Sequence, residues 1–214
     1  MLLPETERLL KNLANYKVFE DFVLVGGSAL SIYLKHRYSG DLDFFSFREE
    51  MPRKKLSNWL YRLRQSGYMC AQILSEEYQM DFAINEVKVS FCAMGWAFLK
   101  YEKRPLLGRI SIALLETLVA LKAYTLSFRN ALRDYYDLYV LLKEQFSLKE
   151  IISITTKRFP DFNPKLFLSQ LSYLKDIEQD TLPGFLKPKY QITKKDIEKF
   201  FESKISKFLY EFSH

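Results

Sequence analysis

The stretches Phe22-Val-Leu-Val-Gly-Gly-Ser-Ala-Leu30 and Asp41-Leu-Asp-Phe-Phe-Ser46 decide the fold of the first half of the chain. The four apolar residues that open the first stretch predict a short buried strand, and the two glycines end it. Residues 28–35 then predict a helix. Backbone N–H groups and the dipole at the start of such a helix favour a bound anion. We therefore predict an anion-binding turn. Its residues are Gly26, Gly27 and Ser28.

The second stretch supplies two carboxylates on one strand. Side chains alternate between the faces of a strand, so Asp41 and Asp43 share one face while Leu42 and Phe44 share the other. Carboxylates at this spacing can share divalent metal ions and hold them against phosphate groups at the neighbouring turn. Each feature alone is common in proteins without such a function. Together they are the arrangement that phosphoryl or nucleotidyl transfer requires.

The composition is that of a folded globular protein. The 214 residues are 48% hydrophobic and 16% aromatic, with a formal net charge of +6. A basic balance permits a nucleic-acid partner without requiring one. The two cysteines lack the spacing of a zinc site or a disulfide framework. No apolar run has the length of a membrane span, and the residues after Met1 lack the pattern of a signal peptide. We therefore expect a cytoplasmic protein without a membrane partner.

The periodicity changes from mixed to helical near the middle of the chain. Asn85-Glu86 predicts a hairpin turn between strands at 78–84 and 87–94. Residues 100–108 predict a linker. We therefore predict an α+β fold, with a mixed sheet and flanking helices in residues 1–104 and a helical bundle in residues 105–214. The predicted helices lie at residues 4–16, 28–35, 52–66, 112–128, 131–145, 148–158, 164–174 and 194–212.

A lysine within an apolar helix marks a second candidate site. Lys122 lies in Leu118-Val-Ala-Leu-Lys-Ala-Tyr124. An ammonium group there is costly unless it meets an anion or extends along the helix surface into water. The next helix carries Asp134 and Asp137, which share a face because they are three residues apart. Such a pair is typical of a helical ion-pair face and also fits a catalytic element.

These segments together resemble one protein family. The motifs are Val25-Gly-Gly-Ser-Ala-Leu30, His36-Arg-Tyr-Ser-Gly-Asp-Leu-Asp-Phe-Phe45, Val87-Lys-Val89, and Lys122 followed by Arg133-Asp-Tyr-Tyr-Asp-Leu-Tyr139. Their order over residues 1–212 is similar to that of the AbiEii/AbiGii-type nucleotidyltransferases, which are toxins of bacterial toxin–antitoxin and abortive-infection systems. That family belongs to the DNA polymerase β-like superfamily. The resemblance therefore implies a polymerase β-like nucleotidyltransferase sheet in the N-terminal domain.

The resemblance also implies a reaction and a role for each matching residue. It implies transfer of a nucleotide from a nucleoside triphosphate (NTP) to an acceptor such as a tRNA 3′ end, with Mg²⁺ or Mn²⁺ as cofactor and a cognate antitoxin as partner. The helical domain would complete the active site. The residues implied in nucleotide binding are Gly26, Gly27, Ser28 and Lys122. Those implied in catalysis are Asp41, Asp43, Lys122 and Asp137, of which Asp41 and Asp43 would bind the metal.

One position departs from the pattern of the superfamily. Polymerase β-like enzymes place a third carboxylate on the later strand, where this chain has Ser90, and a serine is a poor Mg²⁺ ligand. If Asn85-Glu86 forms a two-residue turn, Asp81 pairs with Ser90, and paired residues point to the same face. Asp81 is therefore either a third metal ligand or a charge at the sheet edge without a role.

Three functional classes remain open from the sequence. The leading one is a metal-dependent nucleotidyltransferase toxin. A second is a degenerate relative that binds NTP or RNA without turnover, which Ser90 makes possible. A third is nucleotidyl or phosphoryl transfer to a protein or a small molecule.

Overall fold

The N-terminal part of the molecule is built around one mixed sheet of seven strands. This computed structural model describes residues 1–126, 128–129 and 131–212, and the chain divides into two units, Met1–Leu114 and Leu115–His214. The strands are β1 Phe22–Val25, β2 Leu42–Ser46, β3 Cys70–Ser75, β4 Gln79–Ile84, β5 Val87–Ala93, β6 Lys103–Leu107 and β7 Ile110–Ala113. The helices of this unit are α1 Pro4–Leu13, α2 Gly26–Leu34 and α3 Arg53–Gln65.

The strand order places the two motif strands at the centre of the sheet. The order is β3-β4-β5-β2-β1-β7-β6. β1 is antiparallel to β2 and parallel to β7, and β2 is parallel to β5. The strand that ends at the glycine turn is therefore hydrogen-bonded to the strand that carries Asp43, and Val25 pairs with Asp43.

The predicted hairpin and its register are confirmed. Asp81 pairs with Ser90 and Ala83 pairs with Lys88 between the antiparallel strands β4 and β5. Asn85 and Glu86 form the turn with φ values of 46° and 71°. Two consecutive residues with positive φ form the type of two-residue turn whose twist matches that of the flanking strands. The face that each side chain occupies on β5 was therefore correctly predicted.

The linker predicted at residues 100–108 is wrong. Lys103–Leu107 forms the edge strand β6, which pairs with β7 through a connection at Gly108. An edge strand tolerates Pro105 because its outer N–H groups need no partner in the sheet. Gly108 has a φ of 53°, and a Cβ there would lie 2.6 Å from the carbonyl oxygen of Ala14. The predicted boundary at 104/105 lies within β6.

The helix predicted at 112–128 begins later than expected. Its first residues belong to β7, and helix α4 spans Leu115–Thr125. Leu126 lies in a turn, and the predicted end of the helix includes Ser127, which is outside the described residues. The remaining predicted helices are present within three residues of their expected ends. They are α5 Leu132–Glu144, α6 Leu148–Arg158, α7 Pro164–Leu171 and α8 Lys194–Phe212.

An aromatic cluster fills the core of the N-terminal unit on one side of the sheet. The Phe91 ring lies 4.8 Å from Phe22, 5.4 Å from Trp59 and 5.5 Å from Phe44, measured between ring centroids. All four side chains are almost entirely buried. Aromatic pairs at such distances add to the free energy of burial. This cluster fixes the inner face of β2 and β5, so Asp43 of β2 and Lys88 and Ser90 of β5 lie on the other face.

Two helices of the C-terminal unit begin at capping residues. Ser147 and Glu150 form a reciprocal capping box at the start of α6, and Asn163 caps α7. Such caps satisfy backbone N–H groups that have no partner within the helix.

Across the described residues, every helix is too short or too polar to traverse a lipid bilayer.

The aromatic cluster predicts a large stability effect at Phe91. Phe91→Ala should lower the free energy of unfolding by about 3–5 kcal/mol, because it removes a buried ring and leaves a cavity. Tyr61→Ala is the matched control, since the Tyr61 side chain is 63% exposed, and it should change stability by less than about 0.5 kcal/mol. Urea unfolding followed by far-UV circular dichroism measures both. Equal stability of the two variants would contradict this assignment of the core.

Candidate active site

The turn between β1 and α2 brings a carboxylate against the backbone. Gly26 has a φ of 71°, a conformation that favours glycine. A Cβ at this position would lie 2.5 Å from Asp43 Oδ2, so a side chain at residue 26 would displace the carboxylate. Gly26 is therefore required both by the backbone conformation and by the close approach of Asp43.

The absence of a side chain at Gly27 likewise leaves room for a neighbouring charged group, here a guanidinium group. A Cβ at Gly27 would lie 2.6 Å from Arg37 Nη2 and 3.4 Å from Ser39 Oγ. The Arg37 side chain is almost fully buried, and its Nη1 donates to the carbonyl of Tyr38 at 3.1 Å. The start of α2 thus has a guanidinium group against one glycine and a carboxylate against the other. Arginine is well suited to phosphate recognition because its donors are planar and fixed in direction.

Ser28 ties the start of helix α2 to the acidic stretch. Its side chain is buried, and its hydroxyl donates to the backbone carbonyl of Asp41. The hydroxyl therefore has a partner within the protein. The backbone N–H of Ser28 lies in the first turn of α2, where such groups have no acceptor within the helix and point toward a bound anion.

The acidic pair has the predicted alternation. Leu42 and Phe44 are buried in the core, whereas Asp41 and Asp43 are partly exposed. Asp41 immediately precedes β2, and Asp43 is the second residue of this strand. The two carboxylates therefore belong to the face of the sheet opposite the aromatic cluster. The structure brings Asp43 to the glycine turn, as the sequence predicted.

The donor set at this face fits Mg²⁺ held jointly with a nucleotide. Among the residues that the structure describes, no group of three or more His, Cys, Asp or Glu side chains could enclose a metal ion. Mg²⁺ does not need such a group, because it is commonly bound by one or two carboxylates together with substrate phosphates and water. Asp41 and Asp43 beside an anion-binding turn meet that requirement.

The position of the missing third carboxylate is surrounded by a different set of groups. Asp43, Ser90 and Asp81 are paired across the three adjacent strands β2, β5 and β4. Asp81 is buried, and its Oδ2 lies 2.9 Å from Lys88 Nζ. Its Oδ1 accepts a hydrogen bond from Gln79 Nε2, also at 2.9 Å. Asp81 thus lies on the expected face, but both of its oxygens have partners within the hairpin.

The negative charges of this face raise the pKa values of two neighbouring residues, Lys88 and Cys92. The hydrogen bond from Lys88 to Asp81 raises the pKa of Lys88, and the negative charges of Asp43 and Asp41 raise it further. Burial raises the pKa of the Cys92 thiol to about 12, and the charges of Asp43 and Asp81 contribute to that increase. A thiol with so high a pKa is neutral at pH 7. Lys88 stays a cation.

In the C-terminal unit, Lys122 meets anions rather than water. Its Nζ lies 2.8 Å from Asp134 Oδ1 and 3.0 Å from Asp137 Oδ2. The Lys122 side chain is only 8% exposed and that of Asp137 is fully buried. Arg129 Nε lies 3.4 Å from the other oxygen of Asp134. Of the two alternatives that the sequence left open for Lys122, the structure therefore shows the one in which the ammonium points at anionic groups.

Two residues near the predicted site were not among those singled out for it. Lys88 stood in a quoted motif without a role, although its place two residues before Ser90 on β5 puts it on the same face. Arg37 precedes the acidic stretch, and the sequence did not separate a ligand role from a structural one. The available signal was a basic residue close to the acidic stretch, in sequence for Arg37 and on the neighbouring strand for Lys88.

Comparison with known families and proteins gives consistent matches over nearly the whole chain. Residues 8–209 match the model of the family described as nucleotidyl transferase AbiEii toxin, type IV toxin–antitoxin system. An uncharacterised protein of Aquifex aeolicus is 27% identical over 220 aligned positions, which cover 97% of this chain and 98% of that protein. The resemblance inferred from the motifs is confirmed.

Solved structures share the fold at low sequence identity. MenT4, a nucleotidyltransferase toxin of Mycobacterium tuberculosis, superimposes with a TM-score of 0.62 at 14% identity, covering 94% of this chain and 81% of that one. JHP933 of Helicobacter pylori gives a TM-score of 0.54 at 20% identity, covering 99% and 96%. The predicted α+β nucleotidyltransferase fold, with a mixed sheet in the first unit and helices in the second, is confirmed.

The buried cluster around Lys122 predicts an unequal response to single and combined substitutions. Lys122→Met should lower the free energy of unfolding by about 3–5 kcal/mol, because it removes the ammonium group that lies within 3.0 Å of both buried carboxylates. Combining it with Asp134→Asn and Asp137→Asn should recover most of that loss, since the buried charges of this cluster are then removed together. Urea unfolding of both variants tests this. Wild-type stability of Lys122→Met would show that the cluster contributes nothing to the fold.

Proposed function

Because the chain belongs to the AbiEii nucleotidyltransferase toxin family of type IV toxin–antitoxin systems, we propose that it is a metal-dependent enzyme that transfers a nucleotide from an NTP to an RNA acceptor such as a tRNA 3′ end. The observation that carries this proposal is the approach of Asp43 to the Gly26 backbone at the start of α2. An anion-binding turn and a carboxylate face coincide there, as transfer from a triphosphate requires.

The glycine turn binds and orients the triphosphate in this proposal. The N–H groups of Gly27 and Ser28 face the phosphates, and the dipole of α2 adds positive potential at the same point. The buried Arg37 beside Gly27 contributes a fixed charge. Because these groups belong to the start of a helix that is anchored to β2 through the Ser28 hydroxyl, they are in place before the ligand arrives.

The two carboxylates of the central strands hold the metal in this proposal. Asp41 and Asp43 bind Mg²⁺ or Mn²⁺ from one side, and the triphosphate binds it from the other. The bound ion supplies positive charge that offsets the charge of the transferring phosphate. Asp43 is positioned by its pairing with Val25, so its carboxylate stays at the turn.

The cluster of the helical unit contributes a cation held by two carboxylates. We assign Lys122 to neutralisation of phosphate charge, with Asp137 and Asp134 fixing its ammonium group at 3.0 and 2.8 Å. A cation that is held rigidly costs no reorganisation during the reaction.

The acceptor and the partners follow from family membership and charge. A net charge of +6 favours association with a polyanion such as tRNA. We propose that a cognate antitoxin protein opposes the activity, as the toxin–antitoxin family implies, and that the protein acts in the cytoplasm, where NTPs and tRNA are present.

The transfer reaction can be tested with labelled substrates. Incubation with each NTP, Mg²⁺ and total tRNA should give labelled RNA when the label is on the α-phosphate and none when it is on the γ-phosphate. Label from the γ-phosphate would indicate phosphoryl transfer. Protease-sensitive label would indicate a protein acceptor. Binding of NTP without covalent label would favour the degenerate relative that the serine at position 90 makes possible.

Asp43→Asn should reduce transfer by at least about 100-fold, because it removes charge stabilisation from the reacting phosphate. The fold should persist, since Asp43 is partly exposed and asparagine has the same shape. Asp180→Asn, the same change at an exposed position outside the regular elements, is the matched control. Transfer at the wild-type rate in Asp43→Asn, with unchanged Mg²⁺ dependence, would exclude the metal assignment.

The combined variant Lys122→Met/Asp134→Asn/Asp137→Asn separates the structural role of the helical cluster from its role in transfer. Its buried charges are removed together, so we expect a folded protein. We expect loss of transfer of at least about 100-fold, because the variant removes the ammonium group that we assign to the phosphate together with the two carboxylates that fix its position. Transfer is measured as label per folded molecule. A folded variant that transfers at the wild-type rate would make the cluster structural only.

A further inference from the structure

The pair Lys88–Asp81 is the strongest arrangement near the candidate site that the proposed reaction does not yet use. Asp81 was considered above as a third metal ligand. Its environment points to another role. Asp81 Oδ2 lies 2.9 Å from Lys88 Nζ, and Asp81 Oδ1 accepts from Gln79 Nε2. A buried carboxylate with both oxygens satisfied loses those contacts if it binds a metal.

The two side chains differ sharply in exposure. The Asp81 side chain is 4% exposed, whereas that of Lys88 is 46% exposed. An ammonium group has three donors, and its contact with Asp81 uses one of them. Asp81 therefore holds the ammonium group from the buried side, while nearly half of the Lys88 side chain stays accessible to solvent.

The register places this cation next to the acidic pair. Leu42 pairs with Val89 and Asp43 pairs with Ser90, so the same register continued by one residue sets Asp41 beside Lys88. The charges of Asp43 and Asp41 both act on the Lys88 ammonium. Lys88 thus lies on the face to which we assign the metal and the triphosphate.

Lys88 offsets part of the negative charge on this face of the sheet. Asp41, Asp43 and Asp81 place three negative charges near a site proposed to bind a highly charged anion. Like charges disfavour that binding. Ser90 adds no fourth charge, and Lys88 offsets one of the three. Because a lysine loses rotamer freedom when it is fixed, holding it in place beforehand lowers the entropic cost of contacting a ligand.

We propose that Lys88 binds the triphosphate of the nucleotide and that Asp81 is its positioning residue rather than a metal ligand. This inference rests on the proposed nucleotidyl transfer and adds a substrate contact to it. The face then has two carboxylates for the metal and one anchored cation for the phosphates, in place of three carboxylates.

Binding measurements without turnover test the proposal. The probes are inorganic triphosphate and each α,β-methylene NTP, measured by isothermal titration calorimetry with and without Mg²⁺. Lys88→Ala should weaken binding by about 10-fold or more, since it removes a charge-assisted contact. Lys88→Arg should keep most of the affinity. Lys54→Ala, the same loss of charge at an exposed position of α3, is the matched control and should bind like the wild type.

The role of Asp81 is tested by a double-mutant cycle and by metal binding. Asp81→Asn should weaken triphosphate binding in the wild-type background, because Lys88 loses its anchor, and should cause no further weakening in the Lys88→Ala background, where it only removes a repelling charge. The double variant leaves no unpaired buried carboxylate, so it also guards against misfolding. Mn²⁺ binding to the nucleotide-free protein, followed by electron paramagnetic resonance, should change by less than about 3-fold in Asp81→Asn, because only a distant screened charge is lost.

Several results would overturn the proposal. Unchanged triphosphate affinity in Lys88→Ala, with a wild type that binds, would remove Lys88 from the site while leaving the proposed function intact. Loss of Mn²⁺ affinity by more than about 10-fold in Asp81→Asn in both backgrounds would make Asp81 a metal ligand. Absence of binding of every probe to the wild type would reject the proposed function and this inference together.

Discussion

The close approach of the Asp43 carboxylate to the backbone of Gly26 sets the geometry of the N-terminal unit. Val25 and Asp43 are paired on neighbouring antiparallel strands, so the end of β1 and the beginning of β2 lie side by side. A side chain at position 26 would separate them. Because β1 and β2 are the central strands, with β7 and β5 as their outer neighbours, a displacement at this point would spread through the sheet.

Local signals predicted the parts of the fold in which sequence neighbours interact. The turn Asn85-Glu86 and the alternation of β5 gave the correct pairing of Asp81 with Ser90, because a two-residue turn leaves one register. The hairpin of β6 and β7 was missed. Its edge strand contains Pro105, and Gly108 was interpreted as the end of a linker, although its positive φ and its contact with Ala14 arise only when residues distant in sequence pack together.

In the candidate site too, the features that depend on local sequence were predicted and those that depend on distant residues were not. Strand alternation placed Asp41 and Asp43 on one face, since that property depends on the strand alone. The pairing of Asp81 with Lys88 did not follow from the register, because register fixes the face of a side chain but not the partner that a long lysine reaches. The anions around Lys122 come from the next helix, and periodicity within one helix does not identify the neighbour that its face meets.

Lys88 and Lys122 are both held by aspartates, but their side chains differ in exposure to solvent. Lys122 is 8% exposed between two carboxylates, and moving it would leave buried charges uncompensated at a cost of several kcal/mol, about 3–5 for a typical pair. It is therefore a fixed charge. Lys88 has 46% of its side chain exposed and one buried anchor. Its head group can keep that anchor and still contact a second anion from solvent, because ammonium carries three donors. An exposed lysine with one anchor can therefore adjust to a second anion, whereas a lysine enclosed by two buried carboxylates cannot move without leaving them.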